Sequence, residues 1–297
     1  MERVGTVPGG LWGGLRETAE MIKIQHTVFA LPFALISLVT ATGEGWPSPH
    51  VWLWVLVAMV SARTAAMTFN RIVDAGIDAA NPRTAQRALP AGRLSRRFAW
   101  GVTTASSVLF VVAAGQLNGL CLLLAPVALG VLLGYSYTKR FTSLAHLWLG
   151  FALGISPVGA WLAAAGRFDP PPLVLGAAVM LWVAGFDVIY SLQDEQFDRE
   201  HGLRSLPARM GARNALAAAR LLHVGSLLGF AVFASLAGGG PWRWLAVVLA
   251  AGLLLVQHRM VRPGDLSRVD AAFFSANGLL AVAMGVLFLF AKIASGP

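Results

Sequence analysis

The chain alternates long apolar runs with short polar connections. The apolar runs cover residues 22–41, 51–69, 98–117, 119–137, 144–165, 172–193, 214–236, 241–259 and 271–294. A helix needs about 20 apolar residues to cross the hydrocarbon core of a bilayer. The pattern therefore predicts an all-α membrane protein with about nine transmembrane helices.

Composition agrees with this interpretation. Hydrophobic residues make up 57% of the chain, charged residues 12%, and the mean hydropathy is +0.67. Soluble domains contain roughly 25% charged residues. The single cysteine, Cys121, excludes an intrachain disulfide. The net charge of +9 would suggest nucleic-acid binding in a soluble protein, but here the basic residues lie between apolar runs, so we expect no nucleic-acid partner.

The basic residues are distributed unequally between the two sides that nine spans define. Nineteen Lys and Arg residues fall on one side, three fall on the other, and Arg63 lies within a run. Basic loops remain in the cytoplasm. The distribution predicts a cytoplasmic N-terminus, cytoplasmic basic loops and an external C-terminus.

A first acidic cluster lies at the cytoplasmic end of the second run. Asn70, Asp74 and Asp78 recur every four residues, a spacing that places side chains on one face of a helix. Pro82 cannot continue the helix, which we expect to end near Ala80. Stacked carboxylates repel one another, whereas Mg²⁺ takes carboxylate ligands together with substrate phosphates. The cluster predicts a site for Mg²⁺ and a polyphosphate.

A second acidic cluster lies at the cytoplasmic end of the sixth run. Asp194 and Asp198 are again four residues apart, and Arg204 follows them as Arg83 and Arg87 follow the first cluster. Arginine binds phosphate oxygens through paired hydrogen bonds. The two segments predict two halves of one site, with a diphosphate between two metal ions. The alternative is two unrelated, solvated loop starts.

Two charges lie deeper within apolar runs. Asp187 precedes Asp194 by two helical turns, and Arg63 precedes Asn70 by the same distance. An ionisable residue inside a membrane is costly and indicates a functional site. The two residues either line an acceptor pocket below the metals or form a structural ion pair.

A third basic segment follows the fourth run. In YSYTKRFT, residues 135–142, Tyr135 and Lys139 share a helical face, and Arg140 comes next. The two basic residues either bind phosphate or are ordinary cytoplasmic charges. His26, His146, His201, His223 and His258 show no spacing typical of a zinc site.

These segments resemble the motifs of a known family. NRIVDAGID (70–78) with PRTAQRALPAG (82–92), YSYTKRFT (135–142) and DVIYSLQDEQFDREHGLRS (187–205) are similar to the motifs of UbiA-type intramembrane prenyltransferases. The similarity is greatest to the 4-hydroxybenzoate polyprenyltransferase group, including its branch in futalosine-route menaquinone synthesis. Ala88 and Arg71 depart from the usual pattern.

The resemblance implies one prenyltransferase domain, 1–297, with a central cavity capped by cytoplasmic loops, in a membrane of the bacterial inner type. It implies Mg²⁺-dependent transfer of a polyprenyl group from its diphosphate to an aromatic acid, 4-hydroxybenzoate or 1,4-dihydroxy-6-naphthoate, in ubiquinone or menaquinone synthesis. Asp187 and Tyr190 would be catalytic, and Arg63 with Asp187 would bind the acceptor. The metal ligands would be Asn70, Asp74, Asp78, Asp194 and Asp198, and the diphosphate ligands Arg83, Arg87, Lys139, Arg140 and Arg204.

Three other classes share some of these features. A multi-span transporter with a cytoplasmic cation or phosphate site would also carry intramembrane charges, although transporters often place such sites at the membrane midplane. A CDP-alcohol head-group transferase uses acidic residues and Mg²⁺, but concentrates its aspartates in one segment. A non-catalytic assembly protein would not require two acidic clusters.

Overall fold

A computed structural model describes residues 10–22 and 27–295, and the described chain is a bundle of helices. Its helices are α1 (Gly10–Ile22), α2 (Thr27–Ala41), α3 (Pro49–Ala80), α4 (Arg96–Leu117), α5 (Gly119–Phe141), α6 (Ala145–Ala165), α7 (Pro170–Ser191), α8 (Glu195–Glu200), α9 (Leu206–Leu236), α10 (Pro241–Met260), α11 (Val269–Ala271) and α12 (Asn277–Ala294). A 3₁₀ turn, Leu192–Asp194, joins α7 to α8, and a π-helical segment, Ala272–Ala276, joins α11 to α12.

The helices confirm the predicted all-α membrane fold. Within the described residues, eight helices are long and apolar enough to cross a membrane, and α2 contributes a shorter apolar segment, Phe29–Ala41. All nine predicted runs therefore coincide with helices. Helix α9 begins at Leu206, about two turns before the predicted run. Helix α1 precedes the first predicted run, and Arg3, Lys23 and the last two residues lie outside the described chain.

Local sequence accounts for where several helices begin and end. Pro49, Pro170 and Pro241 are each the first residue of a helix, a position where the missing N–H is not needed. Helix α3 ends at Ala80, as predicted, because Pro82 cannot continue it.

Proline also lies inside α6, where its missing N–H is compensated. Pro157 cannot donate to the carbonyl of Leu153, and the hydroxyl of Ser156 donates to that oxygen at 2.7 Å instead. The carbonyl of Pro157 accepts a 2.6 Å hydrogen bond from Ser37 on α2. Such side-chain bonds are needed because lipid cannot satisfy a backbone group.

Glycine allows α6 and α7 to pack backbone against backbone. A Cβ atom on Gly154 would lie 2.5 Å from the carbonyl oxygen of Gly176, and one on Gly176 would lie 2.6 Å from that of Gly154. One turn earlier on α6, a Cβ on Gly150 would overlap the carbonyl of Met180. Small residues at these positions therefore set the distance between the two helices.

The bundle core lies beside this contact and is aromatic. Trp182 on α7 is fully buried, with ring centroids 5.1 Å from Phe33 and 5.0 Å from Phe186. Its indole N–H donates to Asn277 Oδ1 at 3.0 Å, so the polar atom is satisfied within the core.

The connections separate into two ends of the bundle. At one end, Arg209 donates to Ser143 and thereby joins the α8–α9 region to the α5–α6 turn. At the other end, Asn118 donates to the carbonyl of Leu162, and Lys292 donates to the carbonyl of Gly43. The end that holds the α3–α4, α5–α6 and α7–α9 connections carries both acidic clusters.

The glycine contact predicts a position-specific loss of stability within α6. Gly154→Ala should lower the free energy of unfolding by about 1–3 kcal/mol, because the added methyl group meets a backbone atom. Gly159→Ala on the same helix is the matched control, since a Cβ there meets no atom within 4 Å. Unfolding of the detergent-solubilised protein measures both, and equal shifts would contradict the proposed contact.

Candidate active site

A cavity of about 640 Å³ opens at the acidic end of the bundle. Its walls come from α3, the α3–α4 loop, α5 and the α7–α8 segment, with Glu17 and Glu20 of α1 at its margin. Twelve of the thirteen predicted site residues line it, namely Arg63, Asn70, Asp74, Asp78, Arg83, Arg87, Lys139, Arg140, Asp187, Tyr190, Asp194 and Asp198. Arg204 is the one predicted residue that it excludes.

The first acidic cluster lies along one face of α3, as its spacing predicted. Asn70 Nδ2 donates to Asp74 Oδ2 at 2.8 Å, and Asp74 Oδ1 lies 3.4 Å from the guanidinium of Arg140. Arg140 also donates to the carbonyl of Val73 at 2.8 Å. The contact places a basic residue of α5 against the cluster on α3.

The third residue of this cluster is held by two arginines. Asp78 is buried, and its Oδ1 lies 2.6 Å from Arg87 Nη1. Arg71, a departure from the family pattern, lies 3.7 Å from Asp78 Oδ2. The arginines offset the charge of a carboxylate that burial would otherwise make costly.

The second acidic cluster is joined directly to the first segment. Arg83 donates hydrogen bonds to both carboxylate oxygens of Asp194, with Nε 2.9 Å from Oδ1 and Nη2 2.5 Å from Oδ2. Asn81 Nδ2 donates to Asp194 Oδ1 at 3.0 Å. The side-chain Oδ1 of Asn81 accepts a hydrogen bond from the backbone N–H of Arg83. The two segments predicted to form one site thus meet through contacts more than 110 residues apart in sequence.

The same contact affects the pKa of Arg83. Burial acts to lower the pKa of the guanidinium, but the hydrogen bonds and negative charge of Asp194 outweigh burial and raise the pKa above its ordinary value. Arg83 also lies over the ring of Tyr190, 5.6 Å from its centroid. The ring of Phe273, on the π-helical segment, packs against the same tyrosine ring at a centroid distance of 4.1 Å.

Arg204 has a different position from the one predicted. Its Nη1 donates to the carbonyl of Phe141 at 2.7 Å, and its backbone N–H donates to the carbonyl of Lys139 at 2.8 Å. Arginine commonly satisfies carbonyls at the C-terminal end of a helix, where the helix dipole is negative. Arg204 therefore fastens the α8–α9 connection to α5.

The structure shows a histidine partner for the intramembrane carboxylate. Asp187 Oδ2 lies 2.7 Å from Nδ1 of His146, which is fully buried on α6. Arg63 lines the same cavity, about two helical turns before Asn70 on α3. Sequence reasoning missed His146 because a lone histidine in an apolar run carries no spacing pattern. It missed Asn81 for the same reason.

The donor set fits a hard divalent cation. Among the described residues, no three histidine, cysteine or acidic side chains are grouped closely enough to hold a metal. Arginines form ion pairs with two of the predicted ligands, Asp78 and Asp194. Two buried carboxylate oxygens, Asp78 Oδ2 and Asp198 Oδ2, nevertheless lack a hydrogen-bond partner. Such groups are costly unless something binds them, and a carboxylate oxygen is a preferred ligand of Mg²⁺.

A second cavity, of about 470 Å³, adjoins the first and is almost wholly apolar. It lies among α3, α4, α5 and α6, and its walls include the exposed side chains of Val127 and Phe151. Arg63, Asn70 and Tyr135 line both cavities. A charged compartment therefore leads into a hydrocarbon-like compartment within one bundle.

This arrangement defines an integral membrane protein suited to an amphiphilic molecule with a highly charged head and an apolar tail. The chain belongs to the UbiA prenyltransferase family, whose sequence profile matches residues 30–289. The resemblance found in the motifs is thereby confirmed, as is the expectation of a prenyltransferase enzyme. A transporter, a CDP-alcohol transferase and an assembly protein are not supported.

Individual relatives agree with this family. The chain is 29% identical over 246 residues to a 4-hydroxybenzoate octaprenyltransferase from Nitrosomonas europaea, covering 83% of this chain and 84% of that protein. A UbiA homologue from Aeropyrum pernix K1 matches with a TM-score of 0.82 and 35% identity over 91% of this chain and 98% of that one. A UbiA homologue from Archaeoglobus fulgidus, bound to DMAPP and Mg²⁺, shares the fold at 17% identity, with a TM-score of 0.75 and coverages of 94% and 99%.

Proposed function

We propose that this chain, acting as one domain over 1–297, transfers a polyprenyl group from its diphosphate to a ring carbon of an aromatic acid. The observation that carries the proposal is the meeting of the two acidic clusters, through Arg83 and Asp194, above an apolar cavity. The charged compartment suits the diphosphate, and the apolar compartment suits the prenyl chain. The acceptors we propose are 4-hydroxybenzoate and 1,4-dihydroxy-6-naphthoate, for ubiquinone or menaquinone synthesis.

The named relatives support each half of this reaction. The Nitrosomonas europaea protein is a 4-hydroxybenzoate octaprenyltransferase, which indicates an aromatic acceptor and a long prenyl donor. The Archaeoglobus fulgidus homologue binds DMAPP with Mg²⁺, which indicates a metal-assisted diphosphate site.

The residues that would hold Mg²⁺ are the acidic clusters, namely Asn70, Asp74, Asp78, Asp194 and Asp198. When bound, the cation would neutralise charge on the diphosphate leaving group. Arg83 and Arg87, now paired with Asp194 and Asp78, would turn toward phosphate oxygens when the carboxylates bind metal. Lys139 and Arg140 line the same cavity and would add positive charge. Arg204, which binds backbone carbonyls, is left out of this set.

The acceptor would lie between the two compartments. Asp187 would accept a hydrogen bond from the ring hydroxyl, and Tyr190, held between Arg83 and Phe273, would position the ring. Arg63 would bind the carboxylate of the acceptor. The apolar cavity would hold the prenyl chain away from water, which would otherwise capture the allylic cation.

We propose that the protein lies in a membrane of the bacterial inner type with the acidic end facing the cytoplasm. The described basic residues at that end include those of the α3–α4 and α8–α9 connections. This orientation would give the soluble acceptor and the diphosphate product access to the cytoplasm. The termini themselves are assigned from the charge distribution alone.

Removing a carboxylate should remove most of the activity. Asp78→Ala or Asp198→Ala is expected to lower kcat on the order of 10²- to 10³-fold, because each removes a group that would hold the metal near the leaving group. Asp169→Ala, at the opposite end of the bundle, is the control. Transfer from geranyl diphosphate to the aromatic acids with Mg²⁺ measures this, and full activity of Asp198→Ala would rule out the two-cluster site.

Changing Arg63 should affect the acceptor more than the prenyl donor. Arg63→Ala is expected to raise the acceptor KM about 10- to 150-fold, the equivalent of roughly 1.5–3 kcal/mol for a charged hydrogen bond. Arg63→Lys keeps the charge but loses the planar guanidinium, so its effect should be smaller. Kinetics with each acid and its decarboxylated analogue test the assignment. If the wild type prefers the acid over its decarboxylated analogue no more than Arg63→Ala does, the acceptor carboxylate does not bind Arg63.

Cysteine labelling should reveal the orientation. In a Cys121→Ser background, Arg97→Cys at the start of α4 should react with an impermeant maleimide only from the cytoplasmic side. Ser295→Cys, just after α12, should react only from outside. Labelling of both cysteines from one side would mean that the proposed topology is wrong.

A further inference from the structure

His146 is a fully buried polar residue that the proposed chemistry does not yet use. It lies in the first turn of α6, and its two ring nitrogens contact different elements. Nδ1 lies 2.7 Å from Asp187 Oδ2 on α7, and Nε2 lies 3.3 Å from the backbone nitrogen of Leu206, the first residue of α9. The imidazole thus bridges the carboxylate inside the membrane and the segment that follows the second acidic cluster.

The backbone contact fixes the protonation of the ring. The N–H of Leu206 can only donate, so Nε2 must accept and carries no proton. The single proton of a neutral imidazole then lies on Nδ1, from which it is donated to Asp187 Oδ2. An imidazolium would set a second N–H against the amide of Leu206 and leave a helix-terminal donor unsatisfied. His146 is therefore a fixed donor and does not serve as a base.

A fixed donor on one side of Asp187 determines what the other side can do. Among the described residues, His146 contacts Asp187 through Oδ2, and the Asp187 side chain is 14% exposed in the wall of the cavity. Oδ1 is consequently left for a ligand. A carboxylate oxygen accepts hydrogen bonds, so Oδ1 suits a hydroxyl donor on a ligand.

We propose that His146 is a positioning residue that orients Asp187 as a hydrogen-bond acceptor for the aromatic substrate. The proposal rests on the function above, in which Asp187 meets the acceptor hydroxyl. It also predicts coupling, because the same imidazole caps the first amide of α9, next to the Arg204 connection. The position of Asp187 thereby depends on the loop that closes the second acidic cluster.

The reach of His146 depends on the close approach of α6 and α7. Gly150 and Gly154 follow it on the same helix and contact α7 at Met180 and Gly176. No larger residue fits at these positions, so the helices lie near enough for the imidazole to reach Asp187. What distinguishes His146 from a buried histidine that only packs is its partner, a carboxylate in the wall of the cavity.

Two substitutions separate positioning from packing. His146→Leu removes the donor, whereas His146→Gln keeps an N–H that can reach a carboxylate. Loss of such supporting contacts typically costs about 10- to 100-fold in activity. We expect a loss of that size in kcat for His146→Leu and a smaller loss for His146→Gln. The Kd for geranyl diphosphate with Mg²⁺ should stay within about twofold of wild type in both, since His146 does not line the cavity.

A double-mutant cycle with Asp187→Asn tests whether His146 acts through the carboxylate. The His146→Leu, Asp187→Asn protein should be no less active than Asp187→Asn alone, because the neutral amide has already lost the charge that His146 positions. His223→Gln is the matched control, since His223 is also a buried histidine, bonded to His258 and to the carbonyl of Trp182. It should leave kcat and KM near wild type.

Three results would overturn the proposal. His146→Leu could match wild-type kcat, the losses in the double variant could multiply, or both His146 variants could lose geranyl diphosphate binding, which would assign His146 to packing. Failure of the underlying function would look different. The wild type would then transfer no prenyl group to either aromatic acid, or Asp187→Asn would remain fully active, whatever the His146 variants do.

Discussion

The site depends on compensation of buried carboxylates by arginine at one end of an apolar bundle. Asp78 and Asp194 are buried, and each is held by an arginine of the loop after α3. Removing one partner of a buried ion pair costs about 3–5 kcal/mol, because the other charge is left uncompensated. The loop is therefore held against α7 and α8 by the same charges that would bind a metal diphosphate. In the proposed reaction, the carboxylates would bind the metal and the arginines would bind the phosphates, so that each would exchange its present partner for a new one.

The bundle also separates two environments that the proposed reaction needs. The charged cavity and the apolar cavity meet at Arg63, Asn70 and Tyr135, so the change from polar to hydrocarbon surroundings occurs over a short distance. A diphosphate could not enter the apolar cavity without losing its hydration, and a prenyl chain gains nothing in the charged one. In the proposed reaction, an amphiphilic substrate would consequently be oriented by the fold, with its reactive carbon near the boundary.

Sequence reasoning succeeded where the physical signal is local. Helical spans follow from run length, the common face of Asn70, Asp74 and Asp78 follows from spacing, and the end of α3 follows from Pro82. It failed where the partner is distant in sequence. Asn81 binds Asp194 across 113 positions, and nothing near Asn81 indicates this. Arg204 shows the converse, because its position after an acidic pair suggested phosphate binding, whereas in the structure its guanidinium donates to the carbonyl of Phe141 on α5.

The glycines of α6 link packing to chemistry. Gly150 and Gly154 make no hydrogen bond to the site, yet they fix the separation from α7 on which the 2.7 Å contact between His146 and Asp187 depends. A hydrogen bond weakens steeply with misalignment, so an added methyl group at Gly154 would disturb Asp187 through helix displacement before it disturbed the acidic clusters. In the proposed reaction, the position of Asp187 and the stability of the bundle would thus be coupled through α6. The acidic clusters that would hold the metal lie on α3 and on the segment after α7, outside this glycine contact.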